Sequence, residues 1–155
     1  MRRMMRKGTQ NMLKKNNTKK TILLYPKESY VIRGIIFDLY KQLGFGHKEV
    51  VYQRGLEVKL SKAGFNVNRE KQIPVLVDEK KVGVYTPDFV VNDSIMIELK
   101  ASTFITKQDI MQFWQYLRVA PYKLGFLINF GKPGGVEIIR RVYESSRKED
   151  QRVSA

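Results

Sequence analysis

The chain has 155 residues, 43% hydrophobic and 28% charged, proportions that suit one globular domain with a real core rather than a disordered or membrane-embedded chain. It holds no cysteine, which excludes a disulfide framework and any thiolate metal site. The net charge is +14, and eight of the basic residues lie in residues 1–20 without a single acid. A basic arm on a still basic body suits a polyanionic partner; a solvated leader is the plain alternative.

No apolar run approaches the roughly 18–20 residues that span a bilayer. The N-terminal stretch "MRRMMRKGTQNMLKKNNTKK" lacks the apolar segment of a secretory signal. The expected address is cytoplasmic, with no membrane partner. Residues 1–24 read as a basic arm, 25–143 as the domain and 144–155 as a frayed tail.

In chain order, "KESYVIRGIIFDLYKQLG" sets Ile32, Ile35, Ile36, Leu39 and Leu43 at helical spacing and stops at Gly44. A second helix is predicted from about His47 to Lys62, with Val50, Leu56 and Leu60 on its apolar side and Gly64 as its stop. Three β-rich runs follow, "FNVNREKQIPVLV", "KVGVYTPDFVV" and "SIMIELK", with turns at "DEKK" and "NDS". "TKQDIMQFWQYLRVA" predicts a helix capped by Thr106 and ended before Pro121. "KLGFLINF" is a buried strand, and "VEIIRRVY" is a last strand or a short helix. A helix between strands implies a crossover. The fold class is therefore α/β: one domain, a mixed central sheet and flanking helices.

Charged residues fall in the most apolar part of this plan. Glu-x-Lys occurs three times, but only Glu98-Leu99-Lys100 lies on a strand. There alternation sends Met96, Glu98 and Lys100 to one face and Ile95, Ile97 and Leu99 to the other. If "NDS" is a three-residue loop, Asp88 falls opposite Glu98 on the same face. A two-residue turn at Asn92-Asp93 sends Glu98 to the other face. In the first register two adjacent carboxylates repel, and a hard divalent cation such as Mg²⁺ relieves them, with Lys100 beside the reacting centre. The plain alternative is an exposed Glu98–Lys100 pair on a half-solvated strand, with Asp88 ending a turn.

Pro87-Asp88 followed by Glu98-Leu99-Lys100 resembles the PD-(D/E)xK nuclease superfamily. The blocks "GHKEVVY", "VGVYTPDFVV", "IELKA" and "LGFLINFG" are similar to the GxxExxY family grouped with it, over about residues 28–142. The resemblance implies a restriction-endonuclease-like core and a nuclease that cleaves phosphodiesters through carboxylate-bound Mg²⁺ (or Mn²⁺) and an activated water. It implies metal ligation by Asp88, Glu98, the Leu99 carbonyl and Glu49, with Lys100 serving the attacking water. Gln112 and Tyr116, from a Gln-x-x-x-Tyr pattern, would contact substrate, as would Tyr52 and Gln53 on the face of Glu49. The expected partner is nucleic acid, DNA ahead of RNA. Oligomeric state is open, a dimer included. One departure stands out: many relatives have a histidine where this chain has Asp109. The alternative function is a nucleic-acid-binding or assembly module that keeps the fold without turnover.

Other candidates are weaker. His47, the only histidine, reads as a helix-start surface residue. Phe113 reads as core. No phosphate-binding glycine loop is present, and no serine has a histidine partner for a hydrolase triad.

Overall fold

The computed structural model describes residues 25–144; the basic arm and all but the first residue of the expected tail lie outside them. Helix α1 (Pro26–Leu43) begins at a proline suited to a first helical turn and buries Ile32, Ile36 and Leu39. It ends at Gly44, whose φ of 71° is open to glycine, with its N–H returning to the Tyr40 carbonyl. Helix α2 (Glu49–Lys62) buries Tyr52, Leu56 and Leu60. Val50, expected on the apolar side, is exposed, and Tyr52 takes the inward position.

The strands are β1 (Val67–Arg69), β2 (Ile73–Val77), β3 (Lys80–Tyr85), β4 (Phe89–Val91), β5 (Ile95–Lys100), β6 (Leu124–Asn129) and β7 (Glu137–Val142). Helix α3 (Lys107–Val119) joins β5 to β6. A five-stranded sheet runs in the order β1-β4-β5-β6-β7, and β2 and β3 form a separate two-stranded hairpin. Among the described strands only β5 and β6 pair in parallel, as the α3 crossover requires.

The three β-rich runs, expected as three strands, are therefore corrected to five. Glu70, in the left-handed region at φ 54°, breaks the first β-rich run. Thr86-Pro87 breaks the second, since proline offers no N–H to a ladder. The last segment is a strand rather than a helix.

Both faces of the sheet are covered. Against α1 and α2 lie Phe89, Val91, Ile95, Ile97, Leu99, Leu124, Phe126 and Ile128. Against α3 and the β2–β3 hairpin lie Val90, Met96 and Leu127, with Phe113, Leu117, Ile73 and Tyr85. Phe113 is core, as its helical spacing predicts. Every residue of β6 is buried, in keeping with a parallel strand covered on both faces. No helix among the described residues is long and apolar enough to cross a membrane.

Candidate active site

The loop between β4 and β5 has three residues, Asn92, Asp93 and Ser94. Asn92 and Asp93 both take the left-handed conformation, which their side-chain types tolerate. The Ser94 N–H closes the loop on the Val91 carbonyl at 3.0 Å. This length pairs Val91 with Ile95 and Phe89 with Ile97. The next step brings Asp88 opposite Glu98, on the face of Val90 and Met96. The sheet's alternation thus places Glu98 and Lys100 away from the core that holds Ile95, Ile97 and Leu99.

Each acid is tied to the other's strand. The Asp88 N–H donates to Glu98 Oε1 at 3.0 Å, and the Leu99 N–H donates to Asp88 Oδ2 at 2.8 Å. From α2, the Gln53 side-chain amide donates to Asp88 Oδ1 at 3.1 Å and to Glu49 Oε1 at 3.2 Å. Glu49 and Gln53 are one helical turn apart, so both reach the hairpin. Tyr85, at the end of β3, donates its hydroxyl to Glu98 Oε1 at 2.5 Å.

Lys100 lies 3.8 Å from Asp109 Oδ1. Asp109 also accepts from the Thr106 N–H, while the Thr106 side chain accepts from the Asp109 N–H, a capping box that starts α3 as predicted at Thr106. Asp109 thus holds both the helix start and the lysine. An open cleft of about 500 Å³ runs along Glu49, Lys100, the 101–104 loop, Thr106 and Asp109.

The acids are short of counter-charge. Among the described residues none of Glu49, Asp88 and Glu98 has a salt-bridge partner. Burial pushes Glu98 up to about 7, helped by the Asp88 charge and opposed by its bonds to Tyr85 and the Asp88 N–H. Burial likewise raises Asp88, against the Leu99 N–H and the charge of Lys100. Glu49 is raised by burial and then by Asp88. Desolvated, crowded carboxylates are the donor chemistry that a hard divalent cation satisfies. A ready-made cage is another matter. Among the described residues no three His, Cys, Asp or Glu stand close enough to form one, and the Gln53 amide lies between Glu49 and Asp88.

A family model described as the PD-(D/E)XK nuclease superfamily matches residues 26–142, a span that includes both acids, Lys100 and all of the sheet. The chain belongs to the PD-(D/E)XK nuclease superfamily. No protein of curated function matches it. Among solved structures it is similar to one described as the crystal structure of SSO0001, with 21% identity and a TM-score of 0.45, over 68% of this chain and 58% of that one.

Membership in the PD-(D/E)XK nuclease superfamily agrees with the mixed sheet. Of the expected site residues, Asp88, Glu98, Leu99, Lys100, Glu49 and Gln53 are brought together. Gln112 is exposed on α3 and donates to the Tyr116 hydroxyl at 2.9 Å, close behind the site. Tyr52 is a correction. It is fully buried, stacked on Phe130 with centroids 4.6 Å apart, and its hydroxyl donates to the Gly44 carbonyl, so it offers no surface to a substrate. His47 is exposed, as expected, with Nε2 2.9 Å from the Leu43 carbonyl oxygen.

Two residues escaped sequence reasoning. Tyr85 bonds Glu98, and Asn129, 0% exposed, holds the turn that follows Lys100. The only local signal is a polar group inside an apolar strand run, which must find a partner when buried.

Proposed function

We propose that the chain is a metal-dependent nuclease that hydrolyses nucleic-acid phosphodiester bonds, with DNA ahead of RNA. The observation that carries this reading is the pairing of two desolvated acids, Asp88 and Glu98, across a hairpin, with Lys100 two residues beyond Glu98 on the same face. In this reading Asp88, Glu98 and the Leu99 carbonyl hold Mg²⁺ or Mn²⁺, and Glu49 joins them when the Gln53 amide turns aside. A cation there supplies Lewis-acid polarisation of the phosphate and lowers the pKa of its water.

The chain's own groups do the rest. Lys100 leaves Asp109 for the scissile phosphate or the attacking water, where its fixed positive charge opposes the charge that builds in the transition state. The exposed Gln112 and the half-buried Tyr116 align the strand. Gln53 keeps Glu49 and Asp88 from separating while both await a cation. The basic body draws in the phosphate backbone in a salt-dependent way. The resemblance to the GxxExxY family fits this division: the motif's glutamate, Glu49, stands at the site, and its tyrosine, Tyr52, packs behind it.

Purified protein, Mg²⁺ or Mn²⁺, and single- and double-stranded DNA and RNA test the proposal. Cleavage by wild type and far slower cleavage by Lys100→Ala is expected; equal background from both on every substrate ends it. One feature favours a second reading, a binding or assembly module without turnover: the Gln53 amide stands where it keeps Glu49 and Asp88 bridged. That reading predicts tight, salt-sensitive binding with no divalent-ion affinity, and Asp88→Asn that binds as wild type does.

A further inference from the structure

Tyr85 belongs to the separate β2–β3 hairpin and yet meets both halves of the site. It is 6% exposed. Its hydroxyl donates to Glu98 Oε1 at 2.5 Å, and its ring stacks on Tyr116 with centroids 3.5 Å apart and planes 16° from parallel. The Tyr116 hydroxyl in turn accepts from Gln112, on the exposed side of α3. An unbroken run of contacts therefore leads from the solvent face of α3 to one carboxylate oxygen.

That oxygen has two donors, the Asp88 N–H and the Tyr85 hydroxyl. The first fixes where the carboxylate sits along the strand. The second comes from another sheet and fixes how it is turned, through a charge-assisted bond, the strong kind. With Oε1 so occupied, Oε2 is the oxygen left to face a ligand. Because the Tyr85 ring lies flat on Tyr116, a strand that presses on Tyr116 also presses on the group that orients Glu98.

We propose that Tyr85 is a positioning residue: it sets the orientation of the Glu98 carboxylate and links cation affinity at the acids to nucleic-acid contact at Gln112 and Tyr116. The proposal rests on the nuclease reading, in which Glu98 holds a cation. Linkage of this kind is reciprocal, so nucleic acid strengthens cation binding by the factor that the cation strengthens nucleic-acid binding. Residues behind a metal ligand typically change metal affinity by about 10–100-fold when altered.

The test is Mn²⁺ binding to the full chain by calorimetry, with and without a phosphorothioate oligonucleotide that resists cleavage. In wild type the oligonucleotide raises Mn²⁺ affinity by about 5-fold or more. Tyr85→Phe keeps the stacked ring and loses the hydroxyl. Its Mn²⁺ affinity falls by about 10-fold, its melting temperature stays within a few degrees, and the gain from the oligonucleotide disappears. Tyr116→Leu, which removes the ring on which Tyr85 lies, loses the gain from the oligonucleotide. It serves as the deciding variant should Tyr85→Phe fail to fold. Wild-type affinity and wild-type gain in either variant overturn the linkage and leave the nuclease reading standing. A wild-type chain that binds no Mn²⁺ overturns both.

Discussion

The backbone N–H of Asp88 donates to the carboxylate of Glu98, so the two strands of the hairpin are joined at the point where both carry acid. The bond is possible because the loop has three residues. Asp88→Asn preserves an acceptor for the Leu99 N–H and removes one of two neighbouring carboxylates whose ionisation burial opposes. The melting temperature should hold or rise by a few degrees, while cleavage falls by more than the about 100-fold that outer residues cost. Calorimetry and a gel assay on one preparation measure both. A variant that melts lower and cuts normally contradicts the assignment.

Stability should depend on pH with a definite sign. Glu98 is raised from 4.5 to about 7, first by burial and then by the Asp88 charge. Between those values the folded chain binds a proton that the unfolded chain has released. The stabilising contribution is therefore complete below pH 4.5 and is lost as pH rises through 7. Asp88 and Glu49, also raised, add in the same direction. At about 1.4 kcal/mol per unit, the Glu98 share is bounded at about 3 kcal/mol. Melting curves of wild type and Glu98→Gln should therefore diverge between pH 5 and 8, wild type losing ground at the higher pH. Mg²⁺ should restore the loss at pH 8 and do little at pH 5, because cation and proton compete for one carboxylate. A difference that stays flat with pH sinks the expectation.

Lys100 and Asp109 separate charge from scaffold. Their contact is 3.8 Å long and the lysine side chain is 32% exposed. Pairs of this kind contribute about 0–1 kcal/mol. Lys100→Ala should thus melt within a few degrees of wild type yet lose about 10²–10³ in rate, the usual cost of removing one group that stabilises a transition state. Asp109→Asn keeps an acceptor for the Thr106 N–H and changes the rate less than about 10-fold, well short of that cost. Asp109→Ala also breaks the capping box, at about 1 kcal/mol, and should melt lower than Asp109→Asn. Equal melting temperatures for the two Asp109 variants would count against the cap.

Some of this was legible in the sequence because it is periodic. Alternation along Ile95–Lys100 sorts three aliphatic residues from Met96, Glu98 and Lys100, and no neighbour is needed to see it. The partner of Glu98 was not legible. It turns on the loop length, which Asn92 and Asp93 decide by both accepting a left-handed backbone. The breaks at Glu70 and at Thr86-Pro87 were hidden inside continuous β-forming runs. Tyr52 was misplaced for a geometric reason. From Glu49, three positions on lies roughly 60° to one side of the helix axis and four positions on roughly 40° to the other, so Gln53 meets the site while Tyr52 turns into the core. Tyr85 and Asn129 act on partners 13 and 27 positions away, beyond the reach of any local pattern.

The turn after Lys100 should be the most sensitive part of the scaffold. Asn129 pairs with Lys100 across the parallel strands, and the Phe130 N–H donates to the Lys100 carbonyl at 2.9 Å. The Asn129 Oδ1 accepts from the N–H groups of Ser102 and Gly131, and its Nδ2 donates to the Ser102 carbonyl. Asn129→Leu strands two donors and an acceptor, at about 1–3 kcal/mol for each group left buried without water, and should melt far below wild type. Gly131 reports on function instead. A methyl there would lie 2.4 Å from Ala101 C and Ser102 N, which are backbone atoms and must move bodily. Gly131→Ala should cost about 1–3 kcal/mol and shift the peptide that follows Lys100, lowering kcat while KM for the nucleic acid holds. Gly135→Ala, whose added methyl meets nothing within 4 Å, is the matched control. Should Gly131→Ala and Gly135→Ala turn over alike, the end of β6 does not place Lys100.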